Sequence, residues 1–314
     1  MYAIGVDIGG MSIKVGVVNE KGEIISVNKL KTEKDFNLCV KNIVNQVNQV
    51  LTETGLSLND IQGIGIGCPG AVNAYNGMVE FLPNLGWEKV PLVSELQKYL
   101  DTKIVISNDA NVAALAEAVY GCAKDYNDVV MFTLGTGVGG GIILNKKLYE
   151  GGCKKGAELG HTTLIYGGEK CNCGRSGCVE RYVSATALIN QTKNAMLEDR
   201  TSKMWEYVGG NLDKVDGRTA FECAKLNDST AIKVRDKYVE YLSESMMNLF
   251  NIFRPDAFII GGGISAQGKY LTDRVKEYCE KYEYGYKCAP KTEILVATLG
   301  NDAGIIGAAE LINQ

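Results

Sequence analysis

The chain contains one pattern twice: an apolar strand, a glycine turn and a second apolar strand. The first copy covers residues 2–18 and turns at Gly9 and Gly10, and the second covers residues 128–144 with a glycine-rich stretch that begins at Gly135. Alternating apolar and small residues are typical of β-strands. Two related halves of this kind predict an α/β protein with the two glycine turns on opposite sides of one cleft.

Further strands and helices are predicted between and after these copies. A helix is expected over residues 36–54 with Gly55 as its stop, and an alanine-rich helix follows Asn108 and Asp109, either of which can cap it. A strand over residues 257–260 leads into a third glycine turn. Other strands are predicted over residues 23–27, 63–68 and 103–107, and other helices over residues 184–195, 217–226, 230–253 and 302–312. We expect the last helix to pack back across the first half of the chain.

Composition narrows the classes of partner. The net charge of -4 and the pI near 5.3 indicate no basic surface for nucleic acid, which favours small-molecule partners. No segment has the apolar length of a membrane span and no signal peptide is recognised, so we expect a cytoplasmic protein. Seven of the ten cysteines are scattered through the chain, which favours reduced thiols over disulfides: Cys39, Cys68, Cys122, Cys153, Cys223, Cys279 and Cys288.

The other three cysteines form a cluster with the only histidine. His161 lies ten residues before Cys171, which is followed by Cys173 and Cys178. Three thiolates and one imidazole are a donor set for a closed tetrahedral zinc site, in which no position stays open for a catalytic water. We therefore predict one structural zinc ion that organises a loop. The alternative is a set of buried free thiols.

The glycine turns are predicted phosphate sites, because exposed backbone N–H groups can approach phosphate oxygens closely. Residues 135–140 match the dinucleotide fingerprint G-x-G-x-x-G, but a strand follows where that fold requires a helix. A purely structural hairpin remains an alternative. Asp7 precedes the first turn and is placed to hold a phosphate-bound Mg²⁺, with capping of the turn as its alternative role.

Asp109 is the predicted general base. Near a transferable phosphate, its carboxylate would accept a proton from a hydroxyl group, as phosphoryl transfer requires. A simple helix cap is the alternative role, because Asn and Asp are preferred cap residues. The sequence alone leaves both roles open for this residue.

Several motifs occur together over nearly the whole chain. They are DIGG at 7–10, CPG at 68–70, NDAN at 108–111, LGTGVGGG at 134–141, ELGH at 158–161 and CNCGRSGCVE at 171–180. With this set the sequence resembles the ROK family of repressors, open reading frames and sugar kinases. The resemblance implies an α/β actin-like ATPase (ribonuclease H-like) fold with two lobes and a central cleft. We expect a small lobe of residues 1–107 and 301–314, and a large lobe of residues 108–300 that carries the zinc loop.

The resemblance also implies ATP-dependent phosphorylation of a hexose, most commonly glucose at its 6-hydroxyl, with Asp109 as the catalytic base. The implied sugar ligands are Asn84, Asn108, Glu158, His161 and Glu180. The implied site for ATP and Mg²⁺ consists of Asp7, Gly9, Gly10, Ser12, Gly135, Thr136, Gly137, Gly262 and Gly263. His161 would bind Zn²⁺ through one ring nitrogen and the sugar through the other. A homodimer or a dimer of dimers is implied as well.

One position departs from the family pattern. After Asp-x-Gly-Gly the family usually has threonine, whereas this chain has Met11 followed by Ser12, so a phosphate-contacting hydroxyl is missing unless Ser12 or Lys14 compensates. Kinases of N-acetylglucosamine, N-acetylmannosamine or β-glucosides are alternatives within the family. A non-catalytic sugar sensor is an alternative of another class. A sugar-responsive repressor is disfavoured, because this sequence starts on its first strand without a helix-turn-helix.

Overall fold

The computed structural model describes residues 1–152, 154–285 and 290–314, which form a mixed α/β structure. Its strands are β1 (Tyr2–Ile8), β2 (Ser12–Asn19), β3 (Ile24–Lys31), β4 (Ile61–Cys68), β5 (Ala71–Asn73), β6 (Met78–Leu82), β7 (Trp87–Val90), β8 (Ile104–Asn108), β9 (Val129–Leu134), β10 (Val138–Leu144), β11 (Lys147–Leu148), β12 (Ala257–Gly261) and β13 (Glu293–Val296). Its α-helices are α1 (Phe36–Thr54), α2 (Leu92–Gln97), α3 (Asp109–Val119), α4 (Glu180–Val183), α5 (Ala185–Glu198), α6 (Met204–Tyr207), α7 (Thr219–Lys225), α8 (Ser229–Phe253), α9 (Lys269–Tyr282) and α10 (Ala303–Glu310).

The first sheet has the strand order β3-β2-β1-β4-β8. β1 and β2 form an antiparallel hairpin around the first glycine turn, whereas β4 runs parallel to β1 and β8 runs parallel to β4. Alternate side chains of these strands enter the core, where Ile4, Val6, Ile64 and Ile66 are fully buried. The carboxyl ends of β1, β4 and β8 consequently meet at one edge of the sheet.

The second sheet has the order β11-β10-β9-β12-β13. The two sheets have the same topology. If the five strands of each sheet are numbered along the chain, their order across the sheet is 3-2-1-4-5 in both. The predicted duplication of the strand–turn–strand pattern is therefore confirmed at the level of sheet topology. The small antiparallel sheet β5-β6-β7 was not predicted, because its short strands of mixed polarity have little periodicity.

The bounds of α1 confirm the helix predicted over residues 36–54. Asp35 is its N-cap, and the Asp35 side chain accepts a hydrogen bond of 2.8 Å from the backbone N–H of Leu38. Gly55 ends the helix in the left-handed conformation with φ of 69°, and its N–H bonds to the carbonyl groups of Leu51 and Thr52. Glycine suits this position because it has no Cβ to oppose a positive φ.

The closing helix α10 packs onto the first sheet and onto α3 at glycine positions. A Cβ on Gly5 of β1 would collide with the backbone carbonyl of Ile305, and one on Gly307 would collide with the carbonyl of Val112 in α3. Such close backbone approach is open only to glycine. The prediction that this helix packs against the first half of the chain is confirmed.

The chain folds into two compact units, each assembled from separate stretches of sequence. The first unit is Met1–Val129, Gly141–Ala157 and Thr298–Gln314, and the second unit is Val130–Gly140 and Glu158–Ala297. Residues 108–129 belong to the first unit because they follow β8 of the first sheet and α3 packs against α10. The assignment of residues 1–107 with 301–314 and of 108–300 to functional lobes stays a prediction.

The eight cysteines of the described residues are free thiols, while Cys153 and Cys288 lie outside the described residues. Across the described ranges, no helix combines the length and the apolar character needed to cross a bilayer.

Candidate active site

Three parallel strands of the first unit deliver the predicted polar residues to one edge. In the sheet register Asp7 of β1 lies opposite Gly67 of β4, and Cys68 of β4 lies opposite Asn108 of β8. Gly67 lies opposite Ser107, and neighbouring strands are about 4.8 Å apart, so Asp7 and Asn108 are separated by two strand spacings and one residue along β8. Asp109 follows as the first residue of α3 and is exposed. The first unit therefore brings Asp7, the predicted ligand of a phosphate-bound Mg²⁺, to the same sheet edge as Asp109, the predicted base.

The helix cap at this edge is Asn108. Asn108 Oδ1 accepts a hydrogen bond of 2.9 Å from the backbone N–H of Ala110, and Asn108 Nδ2 donates one of 3.1 Å to the carbonyl of Gly70. Asp109 is the first residue inside the helix, and its Oδ1 also lies 2.9 Å from the N–H of Ala110. The capping role that the sequence left open is filled by Asn108, whose side chain also binds the turn after β4.

Thr32 supports the first glycine turn and was not predicted from the sequence. Its buried hydroxyl donates a hydrogen bond of 2.6 Å to the carbonyl of Gly9, and its backbone N–H donates one of 3.1 Å to the carbonyl of Met11. The N–H of Gly9 in turn binds the carbonyl of Ser12 at 2.9 Å. Thr32 directly follows the observed strand β3 but lies five residues beyond the predicted strand 23–27, so no sequence pattern indicated this role.

Asn84 and Met11 lie at the same turn. A Cβ built on Gly10 would be 4.0 Å from Asn84 Nδ2, so the predicted sugar ligand Asn84 adjoins the predicted phosphate turn. The side chain of Met11 is 87% exposed and reaches out from the turn. The structure thus gives Met11 no packing role that would account for a methionine at this position.

Asp7 faces a cation and the start of α10. Lys14 Nζ lies 3.6 Å from Asp7 Oδ2, and a Cβ on Gly304 would be only 2.6 Å from Asp7 Cγ. Burial raises the pKa of the Asp7 carboxyl above its ordinary value, and Lys14 opposes that rise. The carboxylate is therefore partly desolvated and lies beside the ammonium group of Lys14.

In the second unit the glycine turn after β9 is held by the start of α5. The carbonyl of Gly135 accepts a hydrogen bond of 2.8 Å from the N–H of Ala185, and the carbonyl of Thr136 accepts one of 2.8 Å from Thr186 Oγ1. These two hydrogen bonds hold the turn against the first residues of α5. The third glycine turn is adjacent, because a Cβ on Gly262 would be 2.5 Å from the carbonyl oxygen of Leu134. The second unit thus brings together the two glycine turns that are predicted to bind ATP. The predicted ATP-binding residues of these turns are exposed or half-buried: Gly135, Thr136, Gly137, Gly262 and Gly263.

Glu180 connects this turn with the cysteine cluster. Its Oε2 accepts a hydrogen bond of 3.0 Å from the N–H of Val138, and its Oε1 lies 3.9 Å from Cys171 Sγ. A Cβ on Gly137 would collide with Glu180 Oε2. Glycine at 137 is therefore required for the observed position of the Glu180 carboxylate.

Glu158 is the N-cap of a short 3-10 helix, Leu159–His161, and His161 is its last residue. The N–H of His161 binds the carbonyl of Glu158 at 3.1 Å. Partial burial raises the pKa of the Glu158 carboxyl, His161 lowers it and Glu180 adds to the rise. His161 and Glu180 are therefore near enough to Glu158 to act on its carboxylate electrostatically.

The four predicted zinc ligands form one cluster. The donor atoms of His161, Cys171, Cys173 and Cys178 all lie within 4.8 Å of one another. Cys171 Sγ is 3.7 Å from His161 Nδ1, and Cys173 Sγ is 3.6 Å from Cys178 Sγ. In tetrahedral zinc with Zn–S bonds of about 2.3 Å, two sulfur ligands are about 3.8 Å apart. The donor set and its spacing therefore fit a zinc ion.

Comparisons with known proteins show the family of the chain. The ROK family model matches residues 3–314. The chain is 36% identical to a glucokinase of Thermotoga maritima, over 99% of this chain and 97% of the relative, and 34% identical to a glucokinase of Halalkalibacterium halodurans, over 100% and 95%. A solved ROK family glucokinase from Streptomyces griseus, in complex with glucose and AMPPNP, is 33% identical with a TM-score of 0.81 and 99% coverage of both chains. The predicted actin-like α/β fold class is confirmed by this match, and the chain belongs to the ROK family.

Proposed function

We propose that this protein is an ATP-dependent glucokinase that transfers the γ-phosphoryl group of ATP to the 6-hydroxyl of glucose. The observation that carries the proposal is the exposed Asp109 carboxylate at the start of α3, beside a neighbouring residue that already caps the helix. The names of the full-length relatives, at 34% and 36% identity, support the choice of glucose. The solved glucokinase in complex with glucose and AMPPNP supports the choice of ATP.

In the proposed reaction Asp109 accepts the proton of the sugar hydroxyl as that oxygen attacks the γ-phosphorus. The new O–P bond forms while the bond between the γ-phosphorus and the bridging oxygen breaks, and ADP leaves. Backbone N–H groups of the two glycine turns would bind the phosphates. The N–H groups of Gly9 and Gly135 themselves donate to the carbonyls of Ser12 and Gly137, so the donors would be later residues of each turn. Mg²⁺ held near Asp7 would neutralise charge on the β- and γ-phosphates.

For the sugar we propose Asn84, Asn108, Glu158, His161 and Glu180 as ligands. A pyranose presents hydroxyl groups that donate and accept, so carboxylate, amide and imidazole groups together can distinguish their positions. His161 Nδ1 is the ring nitrogen directed at the cysteine cluster, which leaves Nε2 for a sugar hydroxyl. We propose a structural zinc ion bound by His161, Cys171, Cys173 and Cys178 that fixes the orientation of this imidazole.

The test is ADP release in the presence of Mg²⁺ and ATP with a panel of sugars. The panel contains glucose, mannose, fructose, N-acetylglucosamine, N-acetylmannosamine and cellobiose. The proposal expects the highest kcat/KM for glucose. A preference for an N-acetyl sugar or for cellobiose would retain the phosphotransfer mechanism and replace the substrate. Sugar binding without ADP release would instead identify a non-catalytic sensor.

Replacement of Gly137 by alanine should weaken sugar binding. The added Cβ displaces the Glu180 carboxylate, so one charge-assisted hydrogen bond to the sugar is lost and the Kd for glucose rises about tenfold. Calorimetry without nucleotide measures this Kd directly. Gly135→Ala is the matched control, because its Cβ meets nothing within 4 Å. An unchanged Kd in Gly137→Ala would remove Glu180 from the proposed ligands.

Replacement of Met11 by threonine should lower the KM for MgATP. The change restores the hydroxyl that the family usually has at this position. Because Met11 is 87% exposed, the substitution should change the free energy of unfolding little. One hydrogen bond to a phosphate oxygen corresponds to a KM about three- to tenfold lower. Met11→Val has the shape of threonine without the hydroxyl and should leave the KM near the wild-type value. Equal effects of the two variants would contradict a hydroxyl contact.

The proposal also covers the cellular location and the oligomeric state of the protein. We place the activity in the cytoplasm, where ATP is present and thiolate ligands stay reduced. The family resemblance adds a homodimer or a dimer of dimers, which analytical ultracentrifugation would distinguish.

A further inference from the structure

Glu117 is a completely buried acidic residue near the end of α3. Its relative exposure is 0%, and it lies eight residues after Asp109 on the same helix. A buried carboxylate is strongly destabilising unless hydrogen bonds replace its lost water. The contacts of Glu117 therefore indicate why an acid is placed there.

The Glu117 carboxylate accepts four hydrogen bonds from neutral donors. Oε1 accepts from the backbone N–H groups of Thr298 and Leu299, both at 2.7 Å. Oε2 accepts from the N–H of Cys122 at 3.0 Å and from Thr298 Oγ1 at 3.1 Å. Three of these four donors come from a segment about 180 positions later in the chain. Glu117 thus fixes residues 298–299 to the end of α3.

The fixed segment leads directly to the surroundings of Asp7. The carbonyl of Asn301, two residues after Leu299, accepts a hydrogen bond of 2.5 Å from Lys14 Nζ. That same ammonium lies 3.6 Å from Asp7 Oδ2. Gly304 at the start of α10 packs against the Asp7 carboxylate so closely that a Cβ would be 2.6 Å from Asp7 Cγ. Asn301 and Gly304, which follow the fixed residues 298–299, therefore line one side of the Asp7–Lys14 pair.

We propose that Glu117 is a positioning residue for nucleotide binding. By fixing Thr298 and Leu299, it sets the place of the Asn301 carbonyl, and through it the place of Lys14 beside Asp7. The affinity for Mg²⁺-nucleotide then depends on a residue that does not touch the nucleotide. This inference rests on the proposed role of Asp7 in binding the Mg²⁺-nucleotide.

The main test compares Glu117→Gln with the wild-type protein. Glutamine has one oxygen and one NH2 group in place of the two carboxylate oxygens. The NH2 group therefore opposes either the N–H of Cys122 or the N–H groups of Thr298 and Leu299, so Glu117→Gln cannot hold the segment to the end of α3 as the carboxylate does. We expect KM for MgATP and Kd for MgADP to rise about tenfold, the scale of one lost buried hydrogen bond. The KM for glucose should stay within twofold of the wild-type value, and a higher Mg²⁺ concentration should be needed for half-maximal rate.

Glu310→Gln is the matched control. Glu310 is another buried acid, and its Oε2 accepts a hydrogen bond of 2.6 Å from Tyr120 Oη, so it joins the end of α3 to the far end of α10. This control should lower the melting temperature as Glu117→Gln does, yet leave the constants for MgATP and MgADP unchanged. Equal nucleotide effects in both variants, or none in Glu117→Gln, would overturn the inference.

Thr298→Val provides a milder second variant. It removes only the hydroxyl donor to Glu117 Oε2, retains the backbone N–H bonds and should raise the Kd for MgADP about two- to threefold. A wild-type Kd in this variant counts against the inference if Glu117→Gln fails to fold. Binding of MgADP needs no turnover, so it tests Glu117 even if every sugar in the panel proves inactive and the proposed kinase function fails.

Discussion

Asp109→Asn should lower kcat for glucose phosphorylation by about 10²- to 10⁴-fold, which is the usual contribution of a general base. The amide has the size of the carboxylate but cannot accept the hydroxyl proton. Folding should be retained because Asn108 is the N-cap of α3. Glucose binding should also persist, since the proposed base acts in the chemical step. Steady-state kinetics gives kcat, and calorimetry without nucleotide gives the Kd for glucose.

Glu95→Gln is the control for this experiment. Glu95 is an acid in the first turn of α2, so its replacement also removes a carboxylate from a helix N-terminus in the first unit. Its kcat should equal that of the wild-type protein. If Asp109→Asn retained a tenth or more of the wild-type kcat, another group would have to be the base. Loss of glucose binding together with kcat would point to a binding role for Asp109.

Cys178→Ser should remove the metal and weaken sugar binding. Cys178 is completely buried in the His161 cluster, and serine is a poor replacement for a thiolate ligand of zinc. Elemental analysis should find about one zinc per chain in the wild-type protein and little in the variant. Without the ion, the imidazole of His161 loses its fixed orientation, so KM for glucose should rise by about 10- to 100-fold, the scale typical when support of a metal ligand is removed.

Cys223→Ser separates loss of metal from the general cost of a buried thiol. Cys223 is equally buried but lies on α7, outside the cluster. The substitution should leave the zinc content and the KM for glucose unchanged while it lowers the melting temperature somewhat. A wild-type protein that is free of zinc, folded and fully active would disprove the metal site, as would a Cys178→Ser protein that retains its zinc.

Local patterns predicted much of the fold and the cluster of His161 with three cysteines. The helix over residues 36–54 was recognisable because its apolar period and its glycine stop lie within one segment. The donor set of His161 and the three cysteines was recognisable for a similar reason, since 18 consecutive residues contain all four ligands. In contrast, β5, β6 and β7 have too few residues to show a period.

The sequence by itself determined the two strand–turn–strand repeats, the grouping of His161 with three cysteines and membership of the ROK family, because these features depend on neighbouring residues and on motif order. Only the tertiary structure decided that Asn108 caps α3, that Thr32 holds the turn at Gly9 and that Glu117 binds residues 298–299. The physical reason is distance along the chain. A hydrogen bond between residues 23 or 181 positions apart forms only after the sheets and helices have packed, and no local period records it.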